Sequence, residues 1–188
     1  MARPQSIDDE HLLERLAGVF RDVGYDAASL TSLSKAAGLQ KASLYHRFPR
    51  GKQQMAEEVL GAALSRFSEM VLKPLAGEGA PAARLTRAAA NLEKYYACGK
   101  KSCLLNLFSS PNLDHAPFAP VIKSAFESLI DAFAALSREA GIPAREARRR
   151  AVRTAMLLQG GLVLSRGLGD TAPFKSFLAR LPEDLLVA

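Results

Sequence analysis

The 188-residue chain has no tryptophan and only two cysteines, Cys98 and Cys103. Two thiols in a chain this long do not make a disulfide framework. β-Branched apolar residues are scarce as well: eight valines and four isoleucines stand against 28 leucines and 32 alanines. Strands favour β-branched side chains, whereas leucine and alanine suit helices. The balance argues against a sheet-rich fold and predicts an all-α protein. No apolar run approaches the ~20 residues that a membrane-spanning helix needs. The first residues, Met-Ala-Arg-Pro-Gln-Ser, hold no apolar signal-peptide core. A cytoplasmic chain with no membrane partner is expected. Enzyme signatures are missing too, with no Gly-rich phosphate loop, no metal-binding histidine pair and no nucleophile elbow. His11 and His115 lack partners at metal-ligand spacing. No catalytic residue, metal or cofactor is therefore expected.

Another absence is local. From Ala27 to Ala56 there is neither Asp nor Glu, while Lys35, Lys41, Arg47, Arg50 and Lys52 fall in the same stretch. The chain as a whole carries a formal charge of +6 and a pI near 9.5. That modest excess is compatible with nucleic acid without requiring it. An acid-free basic stretch is an electrostatic footprint for a phosphate backbone, or else a solvated basic face. The five arginines between Arg145 and Arg153 have the same two readings, and there the solvated face is favoured.

The prolines mark where helices start and stop, because proline inside a helix costs about 3 kcal/mol. Ser6 is placed to cap a first helix, with Asp8, Asp9 and Glu10 in the first turn and Leu12, Leu13, Leu16, Phe20 and Val23 at helical spacing up to Gly24. A second helix is predicted over 31–37, capped by Thr31 and stopped by Gly38, and a third over 41–48. A turn at Pro49, Arg50 and Gly51 leads to a long fourth helix over 52–72. Residues 74–81 form the clearest break. Further helices are predicted over 82–98, 102–109, 116–140 and 144–168, with a last one near 173–180. Gly160 and Gly161 interrupt a strongly apolar helix, and the close approach of another helix would compensate for them.

The stretch Thr31–Phe48 carries the most information. Two short helices meet at Gly38, which can supply the left-handed conformation of a helix-turn-helix turn. Leu33, Ala36 and Ala37 face inward, Leu39 plugs the turn, and Leu44 and Phe48 pack the second helix. This leaves Lys41, Ala42, Ser43, Tyr45, His46 and Arg47 exposed, short, polar or cationic as a helix entering a major groove requires. Taken alone, Tyr45 could be a core aromatic with a wet edge and His46 an ordinary surface histidine.

This segment resembles the TetR family of repressors: Thr31, Ala37-Gly38, Tyr45, Phe48 and Lys52 fall at the family's spacing, and the similarity covers roughly residues 8–55. There are departures. Gln40 and Ala42 stand where the family often has serine and glycine. Phe48 and Lys52 are separated by one residue more than is common. That longer spacing, with the later Leu158–Arg166 stretch, is similar to a subgroup regulating multidrug-resistance and flavonoid-responsive genes. The resemblance implies phosphate contacts from Thr31, Tyr45, His46 and Lys52, and base-edge approach by Lys41, Ala42 and Ser43. It also implies a DNA-binding domain over residues 1–53 and a helical effector-binding and dimerisation domain over 54–188.

The expected function is then a homodimeric repressor on a palindromic double-stranded DNA operator, released by a small-molecule effector. The helices at 116–140 and 144–168 are candidates for the dimer interface. Phe67, Met70, Phe108, Phe126, Phe133 and Met156 are candidates to line the effector site, though most could be plain core. Only Glu78, Glu93 and Asp114 lie between Met70 and Phe126, which favours a neutral or weakly acidic aromatic over a cation. The competing class is a helical interaction module whose basic surface meets an acidic partner or a membrane surface. Cys98 and Cys103 flank two lysines that could lower a thiol pKa, but two small residues at a helix junction is the favoured reading.

Overall fold

The computed structural model describes residues 8–109 and 117–187, and every regular element among them is helical. In chain order these are α1 (Asp9–Ala27), α2 (Leu30–Ala37), α3 (Lys41–Arg47), α4 (Lys52–Phe67), a π-helical turn (Ser68–Leu72), α5 (Lys73–Ala76), α6 (Pro81–Tyr95), α7 (Leu104–Phe108), α8 (Ala119–Glu139), α9 (Ala144–Leu168) and α10 (Ala172–Leu186). Ser6, expected to cap α1, and His115 lie outside the described residues. The chain divides into two compact units, one ending at Leu64 and one beginning at Ser65. The division falls within α4, as does the expected domain boundary at 53/54.

In the first unit α1 packs on α2, and α2 on α3. Most of the side chains expected inside are buried: Leu12, Leu16 and Phe20 from α1, Leu33 and Ala37 from α2, Leu44 and Phe48 around α3, Met55 and Val59 from α4. Leu13 is only half-buried, and Val23, at the end of the same pattern beside the Gly24 kink, is exposed. Gly24, with φ 77° and ψ 175°, breaks the helical geometry of α1 as expected, and a short separate turn carries the element on to Ala27.

The second unit is built on α8 against α9, α9 against α10, and α6 against α10. Phe67, Val71, Leu85, Leu92, Phe133, Leu158, Phe174 and Leu181 belong to one continuous core. Pro143 and the left-handed Gly169 bound α9 at the expected positions. An added Cβ on Gly161 would lie 3.5 Å from the Phe174 backbone, so α10 approaches there as the glycine pair suggested; Gly160 faces open space. Pro182 was expected to bound the last helix and instead lies inside α10. The buried Leu181 and Leu185 on either side of it hold the helix against the core despite the lost amide donor.

After α6 the backbone passes through Ala97 (φ 47°), Cys98 (φ 57°) and Gly99 (φ 92°), a left-handed turn packed under Phe174. Cys98 is exposed. Cys103 is buried, and its Sγ accepts hydrogen bonds from Tyr96 Oη at 3.7 Å and Gln159 Nε2 at 3.6 Å. In the arginine-rich start of α9, Arg148 pairs with Asp131 while Arg149 and Arg150 both bond Glu146. These arginines are tied to carboxylates on a solvated face.

Candidate nucleic-acid interface

The interface begins at a cap. Thr31 is not the N-cap of α2, as the sequence had suggested; Ser29 is. Its backbone is extended, its Oγ accepts the Ser32 amide at 3.1 Å, and Ser32 Oγ accepts the Ser29 amide at 3.1 Å. This reciprocal box satisfies two amides that a helix start leaves unpaired. Thr31 is the second residue of α2, two positions after the cap, and is exposed.

At the other end of α2, Gly38 takes the left-handed conformation (φ 67°, ψ 25°), and its amide donates to the Ser34 and Lys35 carbonyls. The Leu39 amide also donates to Ser34 O, and the Ser34 hydroxyl donates to Leu39 O. The turn is thereby fixed on both sides. It delivers the chain to Gln40, which precedes α3 in extended conformation and makes no side-chain cap bond. Replacing the family's serine with Gln40 thus leaves the first turn of α3 open.

α3 has one buried edge, Leu44 followed by Phe48, and one open edge. Lys41, Ala42, Ser43, Tyr45 and His46 are all exposed, and Tyr45 as a whole residue is 46% exposed. That exposure removes the core-aromatic reading of Tyr45. Lys35 and Lys41 are exposed and enter no salt bridge among the described residues. The other three cations of the acid-free stretch are committed. Arg50 pairs with Glu57 at 2.6 Å. Lys52 Nζ donates to the carbonyls of Tyr25 at 3.0 Å and Asp26 at 3.2 Å, and lies 4.6 Å from the Tyr25 ring centroid. An ammonium has three N–H donors, so these two bonds leave one over. Arg47 bonds both Asp9 and Glu58. Burial pushes the Glu58 carboxyl up, but hydrogen bonds from Arg47 and Gln54 outweigh it and hold the group below its ordinary value. Sequence pattern does not single out Ser29, and it places Arg47 on the exposed edge of α3, whereas the structure half-buries it. Their partners decide their roles, and Asp9 is 38 positions from Arg47.

Three of the six effector-site candidates come together and three do not. Phe67 and Phe133 share the core of the second unit, and Met70 packs against it. Phe108 stacks with Phe118 at 5.1 Å, and Phe126 is half-buried. Met156 is 68% exposed on the outward face of α9, away from the core formed by Ala151, Ala155 and Leu158. From Ala155 to Leu164 both faces of α9 are largely apolar, so periodicity does not tell which one turns inward. An edge-to-face series that the sequence reading missed runs from Phe67 to Tyr95 (5.3 Å), Tyr96 (4.9 Å) and Phe174 (5.9 Å). No group of three His, Cys, Asp or Glu side chains able to hold a metal occurs among the described residues.

A short helix with an acid-free open edge, set by a left-handed glycine turn and carried on a three-helix unit, is the reading head of a helix-turn-helix DNA-binding protein. A separate helical unit follows it in the chain. Residues 12–59 match the model of the bacterial regulatory proteins of the tetR family, and residues 88–179 match the C-terminal domain model of LmrA/YxaF-like transcriptional regulators. The chain belongs to the TetR family of transcriptional regulators, which are DNA-binding proteins and not enzymes.

The relatives agree. An uncharacterized HTH-type transcriptional regulator of Bacillus subtilis (strain 168), YxaF, is 24% identical over 178 residues, covering 92% of this chain and 92% of its own. A TetR transcriptional regulator from Legionella pneumophila shares the fold with a TM-score of 0.82 at 19% identity, over 97% of this chain and 100% of its own. A cysteine mutant of the TetR family regulator CifR, solved with 26 bp double-strand operator DNA, shares it with a TM-score of 0.75 at 21% identity, over 98% and 99% of the two chains. Among the described residues no helix is long and apolar enough to cross a membrane.

Proposed function

We propose that the chain is a ligand-responsive repressor that binds a palindromic operator as a homodimer and is released by a small apolar or aromatic effector. The observation that carries the reading is the open edge of α3. In this reading Lys41, Ala42 and Ser43 approach base edges, while Thr31, Tyr45, His46 and the third donor of Lys52 meet phosphates.

One short helix reads few bases, and two copies about one DNA turn (~34–36 Å) apart multiply its discrimination. The outward face of α9 supports that pairing. Val152, Met156, Leu157, Val163, Leu164 and Leu168 are exposed along it, with Arg153 and Arg166 also exposed, and Gly160 and Gly167 leave room for close approach. An apolar strip of this length is a surface for a second copy.

The aromatic series around Tyr95 and Tyr96 supports an effector with a flat apolar body in the second unit. α4 begins among the DNA-reading residues and reaches into that unit, so it is the covalent route for a response. A ligand drives release only by favouring the DNA-incompetent state, typically by about 1–3 kcal/mol of coupling. The experiment is a ligand-free map of chromosomal binding sites, followed by operator release against neutral, anionic and cationic aromatics. Enrichment of one palindrome and release by neutral or anionic aromatics supports the proposal. Uniform binding to random duplex, or release by cations alone, refutes it.

A further inference from the structure

Arg47 sits on the last turn of α3 and does not reach outward with its neighbours. Its Nε and Nη2 donate to the two oxygens of Asp9 at 3.2 and 3.3 Å. Its Nη1 and Nη2 donate to the two oxygens of Glu58 at 3.2 and 2.8 Å. Its Cζ lies 4.5 Å from the centroid of the buried Phe48 ring. Glu58 is itself held by Gln54 Nε2 at 2.9 Å. One planar fork thus ties the end of α3 to the first turn of α1 and to α4, two segments distant in sequence.

We propose that Arg47 is the positioning residue for operator reading: its bidentate hold on Asp9 and Glu58 fixes the orientation of α3, and the guanidinium makes no phosphate contact of its own. α3 is seven residues long and lacks a side-chain cap at its start, so its intrinsic stability is slight. Leu44 and Phe48 anchor its depth, but two apolar contacts along one edge leave rotation about that edge open. Base-edge recognition tolerates only about 0.5 Å and 10–20° of misplacement. The paired forks on either side of Arg47 remove that rotation. Four directed N–H bonds to carboxylates also leave the group little to offer DNA without first breaking the hold. A lysine would keep the charge and lose the fork, because one ammonium cannot grip two carboxylates bidentately. The inference rests on the operator-binding reading above and adds to it a residue that sets specificity without touching DNA.

The test uses the full chain and compares its preferred palindrome with a scrambled duplex across a salt series. The variants are Arg47→Met, Arg47→Lys, Glu58→Gln and the Arg47→Met/Glu58→Gln pair, each checked for folding by its thermal transition. The expected result is that Arg47→Met lowers the palindrome-to-scrambled affinity ratio about tenfold, the scale of one misread base pair. Affinity for the scrambled duplex and its salt slope should stay at the wild-type value. Glu58→Gln should lower the ratio in the same direction, the pair should be no worse than Arg47→Met, and Arg47→Lys should fail to restore the ratio. Glu58→Gln keeps the test decisive should Arg47→Met not fold. Equal loss on both duplexes with a salt slope reduced by about 0.9 would make Arg47 a phosphate contact and overturn the proposal. An unchanged ratio in folded variants would overturn it as well. A wild-type chain that prefers no palindrome would overturn the operator reading and this proposal together, and the wild-type measurement alone identifies that case.

Discussion

Truncating Met156 tests the dimer face. Met156 leaves 68% of its surface in water, with Leu164 at 55% and Leu168 at 69% on the same side of α9. Full burial of such a side chain is worth about 1.5–3 kcal/mol, and roughly two-thirds of that is still to be gained at Met156, or about 1–2 kcal/mol. In a twofold dimer every contact occurs twice, so Met156→Ala removes at most about 2–4 kcal/mol of association free energy. That corresponds to a dimer constant weakened by about 30- to 800-fold. Met156→Glu should go further, because two carboxylates would enter an apolar strip. Sedimentation equilibrium over a nanomolar to high-micromolar series reads the constant directly, against a 20.2 kDa monomer. The fold of the single chain should survive, since Met156 takes no part in its core. A folded Met156→Ala variant with the wild-type dimer constant would refute the reasoning. A normal dimer with altered effector response would return Met156 to the effector site.

The cap assignment separates two neighbouring hydroxyls. Ser29→Ala should cost about 1 kcal/mol of stability, while Thr31→Ala should leave the denaturation midpoint unchanged and weaken DNA binding; the reverse pattern would restore Thr31 as the cap. Gly99→Ala puts a Cβ 2.8 Å from the Phe174 Cβ at φ +92°, so it should cost about 1–3 kcal/mol from the backbone alone, and an unchanged melting temperature would contradict this. Hydrogen bonds from Arg149 and Arg150 hold the Glu146 carboxyl down, from 4.5 to about 2. A depressed carboxyl contributes stability above its unfolded value and loses it as pH falls through the folded one. The melting-temperature gap between wild type and Glu146→Gln should therefore be constant above about pH 5 and close progressively toward pH 2. A gap that widens on acidification would disprove the pairing.

What was legible in the sequence was what local chemistry decides. The ends of α9 followed from Pro143 and Gly169, and the turn at Gly38 from its glycine between two apolar-patterned stretches. The open edge of α3 followed from the residue types alone. What escaped depended on distant partners or on competition between similar local signals. Three hydroxyls crowd the start of α2, and only the extended backbone at Ser29 selects the cap. Nothing nearby in sequence shows that the Tyr25 and Asp26 carbonyls would take two of the Lys52 donors. Arg47 belonged to an exposed helix on pattern, and its carboxylates come from α1 and α4. Pro182 was given too much weight, since burial on both sides of it outweighed its local cost.

The π-turn at Ser68–Leu72 amounts to a spare residue stored in a helix. Between α4 and α5 the Lys73 amide reaches back to Ser68 O, five positions away, and the Asn91 side-chain amide donates to the Met70 carbonyl at 2.6 Å. A wider turn of this kind takes up one more residue than the rise requires. Helical phase is therefore not continuous from Lys52 to Ala76. The azimuth of side chains before Phe67 and of those after Leu72 is set by separate counts. An ordinary helix behaves as a rigid screw, in which a one-residue slip at one end rotates everything at the other. Here the extra residue is taken up within Ser68–Leu72, and the helical register before it and after it is counted separately.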